Sequence, residues 1–312
     1  MPIVRTDIPI TSENCEKMIL ELVDTYPFCR TEVIGTTAFQ RPLRTLVIGT
    51  GDRKVIYSAA HHANEWITSL VLLKFAEELA QAVTENGVIF GIEARSIVEA
   101  ATIYMIPMVD PDGVDLVVGA IPPGSIPYET ARALASFYPD IPFPSGWKAN
   151  LLGVDLNLQY PAGWLQAREI KFSQGFTRPG PRDYVGRAPL GQLESRALAG
   201  FTEFVDPALV LAYHSQGEVI YWQFRNYIVP GAQELAEEFS RLSGYALEDT
   251  PFESSFAGYK DWFIQEFRRP GYTIEVGSGE NPLPLSQFNK IYSDNLGILT
   301  TAALGLLSTP QI

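Results

Sequence analysis

The sequence predicts an α/β fold built as a single domain, and three observations carry that expectation. Short, β-branched apolar runs alternate along the chain with longer amphipathic segments, the pattern of strands and helices packed in layers. All three histidines, His61, His62 and His214, directly follow predicted strands, and the C-terminal ends of strands are where open α/β sheets place their sites. No repeat or low-complexity tract divides the 312 residues, and nothing marks off a second hydrophobic unit.

Taken in order, the first element is a helix over Ser12–Thr25, whose apolar residues recur at three- and four-residue spacing. Leu43–Ile48 and Val55–Ala59 read as strands, and Glu65–Ala82 as a second amphipathic helix. Ile103–Met108 is the third strand. A long stretch rich in proline, glycine and aromatics follows, over residues 116–190. Loops of that length in a compact domain are usually functional, so it predicts long active-site loops. Beyond it come a helix over Leu193–Phe204, strands over Leu209–Tyr213 and Val219–Phe224, and a helix over Ala232–Ser243. A strand over Tyr272–Val276 and a helix over Leu285–Leu307 complete a single catalytic domain spanning 1–312.

Composition narrows the function classes. Residues are 46% hydrophobic and 19% charged, as in ordinary globular proteins with a sizeable core. The net charge of −13 argues against a nucleic-acid partner, because phosphate binding needs a cationic surface. The N-terminus shows no basic start, apolar core and small-residue cleavage site, so no secretory signal is read. No apolar run approaches the roughly 20 residues of a membrane helix. Cys15 and Cys29 are too few for a disulfide framework. A cytoplasmic protein is the default expectation, and no oligomeric state is indicated.

The chemistry gathers at the histidines. In His61-His62-Ala63-Asn64-Glu65-Trp66, His62 and Glu65 stand three apart where the chain turns into a helix, and can aim an imidazole and a carboxylate at one point. Catalytic zinc takes three such protein ligands and keeps one position for water. Alone, the pair reads equally as a hydrogen-bonded strand-end histidine beside a helix N-terminal glutamate, which the helix dipole favours. His214, isolated in Tyr213-His214-Ser215-Gln216, tips the balance toward a metal site. Glu275 lies in the apolar strand Tyr272–Val276, where an unpaired carboxylate is costly. A carboxylate beside the metal can take the proton of the attacking water and pass it to a leaving amine.

Taken together, five ordered motifs resemble the M14 metallocarboxypeptidase family. They are His62-Ala63-Asn64-Glu65-Trp66, Asp110-Pro111-Asp112-Gly113, Gly153-Val154-Asp155-Leu156-Asn157-Leu158-Gln159, His214-Ser215, and Asp261-Trp262 with Glu275 downstream. The resemblance implies a mixed, mostly parallel twisted sheet of about eight strands with helices on both faces. It implies one zinc ion per chain held by His62, Glu65 and His214, with Asp155 orienting His62 and Glu275 as catalytic base. Lys148 falls where the family carries an oxyanion-stabilising arginine and would supply the same charge without the fork. Asn157 and Ser215 join the implied substrate-binding set. His61 has no assigned role.

Departures from the family bear on substrate. Members of the family hold a terminal α-carboxylate with two arginines and an asparagine, where this chain has Asn64, Asp110 and Leu158. Arginine is the natural bidentate partner of a carboxylate, and an aspartate repels one. Lys260 falls at a pocket-lining position, and with Asp110 it would suit a group bearing both a carboxylate and an ammonium, such as the distal end of diaminopimelate. The family's mobile tyrosine falls on Glu253. The Asp155–Pro161 and Gly277–Pro284 segments resemble the bacterial γ-D-glutamyl-L-diamino acid peptidases, which act on peptidoglycan-derived muropeptides. That branch is the expectation. Its rivals are a carboxypeptidase with altered terminal recognition and a non-catalytic muropeptide-binding module.

Overall fold

The computed structural model of the chain describes residues 2–306. Among them the strands are β1 (Arg30–Thr36), β2 (Pro42–Ile48), β3 (Arg53–Ser58), β4 (Val88–Ile89), β5 (Ile92–Glu93), β6 (Ala101–Ile106), β7 (Leu209–His214), β8 (Val219–Tyr221), β9 (Ala246–Leu247) and β10 (Gly271–Glu275). The helices are α1 (Ser12–Thr25), α2 (Ile67–Glu85), α3 (Ala94–Ala100), α4 (Pro111–Val117), α5 (Ile126–Ala135), α6 (Trp164–Ser173), α7 (Leu193–Val205), α8 (Ala232–Ser243), α9 (Tyr259–Phe267) and α10 (Phe288–Leu304). An eight-stranded sheet runs in the order β1-β2-β6-β3-β7-β10-β8-β9, and β4 with β5 forms a separate ribbon.

At the centre, β6, β3, β7 and β10 are mutually parallel, while β1 and β2 pair antiparallel with their neighbours, and β8 pairs antiparallel with β10 but parallel with β9. Period-two alternation sends successive side chains to opposite faces, so each parallel strand feeds two cores. Val55 and Tyr57 pack on one face with Leu211, Tyr213 and residues of α1, α2, α8 and α10. Ile56, Val210 and Ala212 pack on the other with Leu198 of α7 and Phe263 of α9. Burial on both faces is why these strands are nearly continuous apolar runs.

The helices meet the sheet through predictable stripes. In α1 the buried residues Cys15, Met18, Ile19 and Leu22 follow the three- and four-residue spacing of one face. Thr11 caps that helix, its Oγ1 accepting from the Asn14 N–H. The expected helix over Leu285–Leu307 starts at Phe288 after a single 3₁₀ turn and ends at Leu304, and Leu307 lies outside the described residues. The 116–190 stretch is less irregular than expected, since it holds α5 and α6. Both cysteines are free, and burial pushes their thiols up to about 12. No helix among the described residues is long and apolar enough to cross a membrane.

Candidate active site

Three neighbouring parallel strands deliver the site to one edge of the sheet. The chain leaves β3 through Ala60, whose φ of 46° is unusual for a residue with a side chain. Its N–H donates to Thr68 Oγ1 and its carbonyl accepts from the Asp110 N–H, so the exit is fixed from both sides. His62 then precedes a 3₁₀ turn over Ala63–Glu65 that swings Glu65 back beside it. His214 ends β7, and Glu275, its register partner in β10, ends the next strand.

Their side chains converge. His62 Nδ1 lies 2.9 Å from Glu65 Oε1, His214 Nδ1 lies 2.9 Å from Glu65 Oε2, and the two Nδ1 atoms are 3.2 Å apart. His62 Nε2 lies 3.2 Å from Asp155 Oδ1, a contact that would keep the ring proton on Nε2 and turn Nδ1 toward a metal. One donor atom from each of His62, Glu65 and His214 fits within 4.8 Å of the others, all three residues buried. Two imidazoles and a carboxylate turned on one point match the donor set of catalytic zinc. The local field favours a cation as well. Burial works to lower the His62 pKa, yet Glu65 and Asp155 outweigh both burial and Lys148 and lift it to about 9.

Around this centre, Lys148 Nζ lies 3.0 Å from Glu65 Oε1. The Glu275 carboxyl is pushed up to about 8, by burial first and then by Glu65, against the pull of Lys148 and His62. His61 stacks on His214 with ring centroids 5.0 Å apart, its Nε2 lying 2.9 Å from Ser58 Oγ. Burial drives its pKa down, so it serves as a neutral plate behind the site.

The cleft has two lobes that share Lys148, Tyr221 and Glu275. One, of about 490 Å³, is lined by Asn64, Ser145, Arg182, Ser215 and Asn281 among others. The second, about 190 Å³ and more enclosed, is lined by His62, His214, Asn157, Thr250, Lys260 and Asp261.

A family model described as zinc carboxypeptidase matches residues 15–297. The chain belongs to the zinc carboxypeptidase family. It is a zinc-dependent peptidase, and its α/β architecture is that of solved carboxypeptidases. It is 44% identical over 280 residues to "Gamma-D-glutamyl-L-diamino acid endopeptidase 1" of Lysinibacillus sphaericus, covering 90% of this chain and 68% of that one. It is 36% identical over 289 residues to the uncharacterised protein YqgT of Bacillus subtilis, covering 92% and 75%. Among solved structures, thrombin activatable fibrinolysis inhibitor superposes with a TM-score of 0.76 at 16% identity, covering 99% of this chain and 78% of that one.

Within this zinc carboxypeptidase fold, Asn157, Ser215 and Lys260 line the cleft, while Asp110 and Leu158 lie away from it. Asp110 does not face the cleft. It is fully buried and caps α4, Oδ1 accepting from the Gly113 N–H at 3.0 Å, and burial with nearby Glu194 lifts its carboxyl well above the usual range. Leu158 points into an apolar core with Tyr160 and Trp262. Lys260 does line the enclosed lobe, but its ammonium is already held, Nζ donating to Gln223 O at 2.6 Å and Asp261 Oδ1 at 2.5 Å. Asn157 Oδ1 accepts from the Tyr259 N–H, and Ser215 Oγ donates to Asn281 Oδ1. Sequence reasoning missed Tyr221, Arg182 and Asn281. Tyr221 left a trace, two residues after Val219 on a strand beside Glu275, and Asn281 lies in the Gly277–Pro284 segment that carries the resemblance, whereas Arg182 left none.

Proposed function

We propose that this zinc peptidase hydrolyses the amide bond joining the γ-carboxyl of a D-glutamyl residue to a diamino acid in peptidoglycan-derived peptides. The observation that carries the reading is the lining of the enclosed lobe. Among the described residues, no arginine lines it, and a buried Lys260–Asp261 ion pair forms part of its wall. A guanidinium fork would clasp the terminal carboxylate of an ordinary carboxypeptidase substrate, and this lobe offers none, the Lys260 ammonium being paired within the wall. The similarity to a relative named for γ-D-glutamyl-L-diamino acid cleavage supports the same substrate class.

His62, Glu65 and His214 would hold the zinc, which when bound acts as a Lewis acid toward the scissile carbonyl and eases deprotonation of water. Asp155 keeps the His62 proton on Nε2, leaving Nδ1 free for the metal. Glu275 accepts the proton of the attacking water on its carboxylate and delivers it to the leaving amine. Lys148, now against Glu65, offers its ammonium to the charge that develops on the carbonyl oxygen. The α-amine of the diamino acid departs toward the enclosed lobe, and the acyl chain occupies the open one.

Turnover of γ-D-glutamyl-diaminopimelate peptides against N-blocked α-dipeptides tests this. The γ-linked peptides are expected to have the higher kcat/KM. Faster turnover of the α-dipeptides would instead mark a carboxypeptidase with altered terminal recognition.

A further inference from the structure

The open lobe contains a cation that the chemistry above leaves unused. Arg182 lines it beside Lys148, and backbone hydrogen bonds fix the relation between the two segments. The Lys148 and Ala149 N–H groups both donate to Pro181 O, at 2.7 and 2.9 Å. On the other side the Asp183 N–H donates to Asp155 Oδ2, and the Asp155 N–H donates to Tyr184 O. The 181–184 segment is therefore laced to the same two residues that flank the metal site.

The Arg182 side chain is anchored at one point only. Nε donates to Asp183 Oδ2 at 2.5 Å, and Asp183 is in turn held by Lys171 Nζ at 2.7 Å. Neither terminal nitrogen of the guanidinium has a partner among the described residues. With Nε tied back, the free nitrogens form a pre-oriented donor pair on a side chain 44% exposed. Lys171 shares the Asp183 charge, so Arg182 is not neutralised by its anchor. The lobe's other unshared acids, Asp140 and Glu280, are exposed at its rim, where water screens them.

We infer that Arg182 reads the free α-carboxylate of the γ-D-glutamyl group, making it a specificity-determining residue. The inference rests on the function proposed above. A γ-linked glutamyl group differs from an α-linked one in just this respect: its acyl carbon is the side-chain carboxyl, and a short alkyl spacer away an α-carboxylate remains ionised. The acyl side of the scissile bond is assigned to the open lobe, the roomier of the two at about 490 Å³ against 190 Å³. A planar guanidinium with two free nitrogens is the matching bidentate partner.

Two substrates differing only at that carboxylate, a γ-D-glutamyl-diaminopimelate peptide and its α-carboxamide counterpart, test the inference. The wild type is expected to favour the free carboxylate on the order of 10- to 100-fold in kcat/KM, mostly through KM. In Arg182→Gln that ratio should collapse toward one, with bound zinc and thermal midpoint at wild-type values. Arg182→Lys should restore part of it, keeping charge but not fork. A wild type indifferent to amidation, or an R182Q enzyme that still discriminates, overturns the role of Arg182 and leaves the proposed function standing. Turnover of neither γ-linked peptide by the wild type overturns both.

Discussion

His62 has both ring nitrogens committed, Nε2 toward Asp155 and Nδ1 toward Glu65 and His214. Asp155 is committed in turn, its Oδ1 accepting from the Asn157 N–H and its Oδ2 from the Asp183 N–H. Burial works against its charge, but His62 and Lys148 hold the carboxyl well below the usual range, so it stays an acceptor. Removing it frees the imidazole to choose the wrong tautomer. Asp155→Ala should therefore weaken zinc affinity by about 10- to 100-fold, read by competition with a chromophoric chelator. Wild-type affinity in that variant would show that Asp155 does not orient the ligand. Glu275 behaves differently, since it touches no donor atom of the proposed zinc site. Glu275→Gln keeps the shape of the side chain and loses the base. We expect kcat to fall by about 10²- to 10⁴-fold with one zinc per chain retained, measured by turnover and metal analysis. Full activity in that variant would remove Glu275 from the chemistry.

At the scale of elements, α7 brings a carboxylate under the site. Glu194 in its first turn is 2% exposed, and among the described residues its side chain accepts from Asn150 Nδ2 at a weak 3.4 Å. Burial is the main reason its pKa rises from 4.5 to about 7, and the nearby Asp112 adds to it. A folded pKa above the unfolded one means the fold favours the protonated form. That contribution is fully present below about pH 4.5 and lost as pH rises through 7. Over that window the loss amounts to roughly 3 kcal/mol. Glu194→Gln should thus match the wild type in urea denaturation near pH 4.5 and exceed it above pH 7. Parallel pH profiles for the two proteins would show that Glu194 titrates normally. The same scale explains what the sequence conceals. Strand β1 pairs with β2 at the sheet edge and buries none of its side chains fully, so it carries no apolar alternation to read. Helices α4 and α5 are short and masked by proline, yet both open with a capping side chain, Asp110 and Ser125, and a proline in the first turn. By contrast α1 and α8 stand at the boundaries the sequence indicates, because a long stripe over a helix face repeats often enough to define its ends.

For the whole molecule, the legible part of the site was the part carried on strand ends. His62, His214 and Glu275 follow apolar runs that only a buried parallel sheet would use, so their convergence could be foreseen. The walls of the cleft were legible only in part: Asn64, Lys148, Asn157, Ser215 and Lys260 do line it, but the rest comes from loops whose direction depends on hydrogen bonds between distant segments. Asp110 turned inward to cap α4, and Arg182 was brought in by Pro181 accepting from Lys148 and Ala149. This division predicts how the molecule responds to metal removal. The donors sit at or just beyond the ends of strands whose order is set by two apolar cores and not by the ion, so the apo chain should stay folded. It should nonetheless be less stable, because zinc binds the folded donors in preference to unfolded ones. At free zinc a thousandfold above its Kd the stabilisation is about 4 kcal/mol, which for a domain of this size shifts Tm by roughly 6 °C. Chelation should lower Tm by that order while far-ultraviolet circular dichroism below the transition is unchanged, and added zinc should restore it. In a His62→Ala, His214→Ala double variant the chelator should do nothing. A wild-type Tm that holds while metal analysis shows the zinc gone would mean that the ion is not bound by groups the fold has gathered.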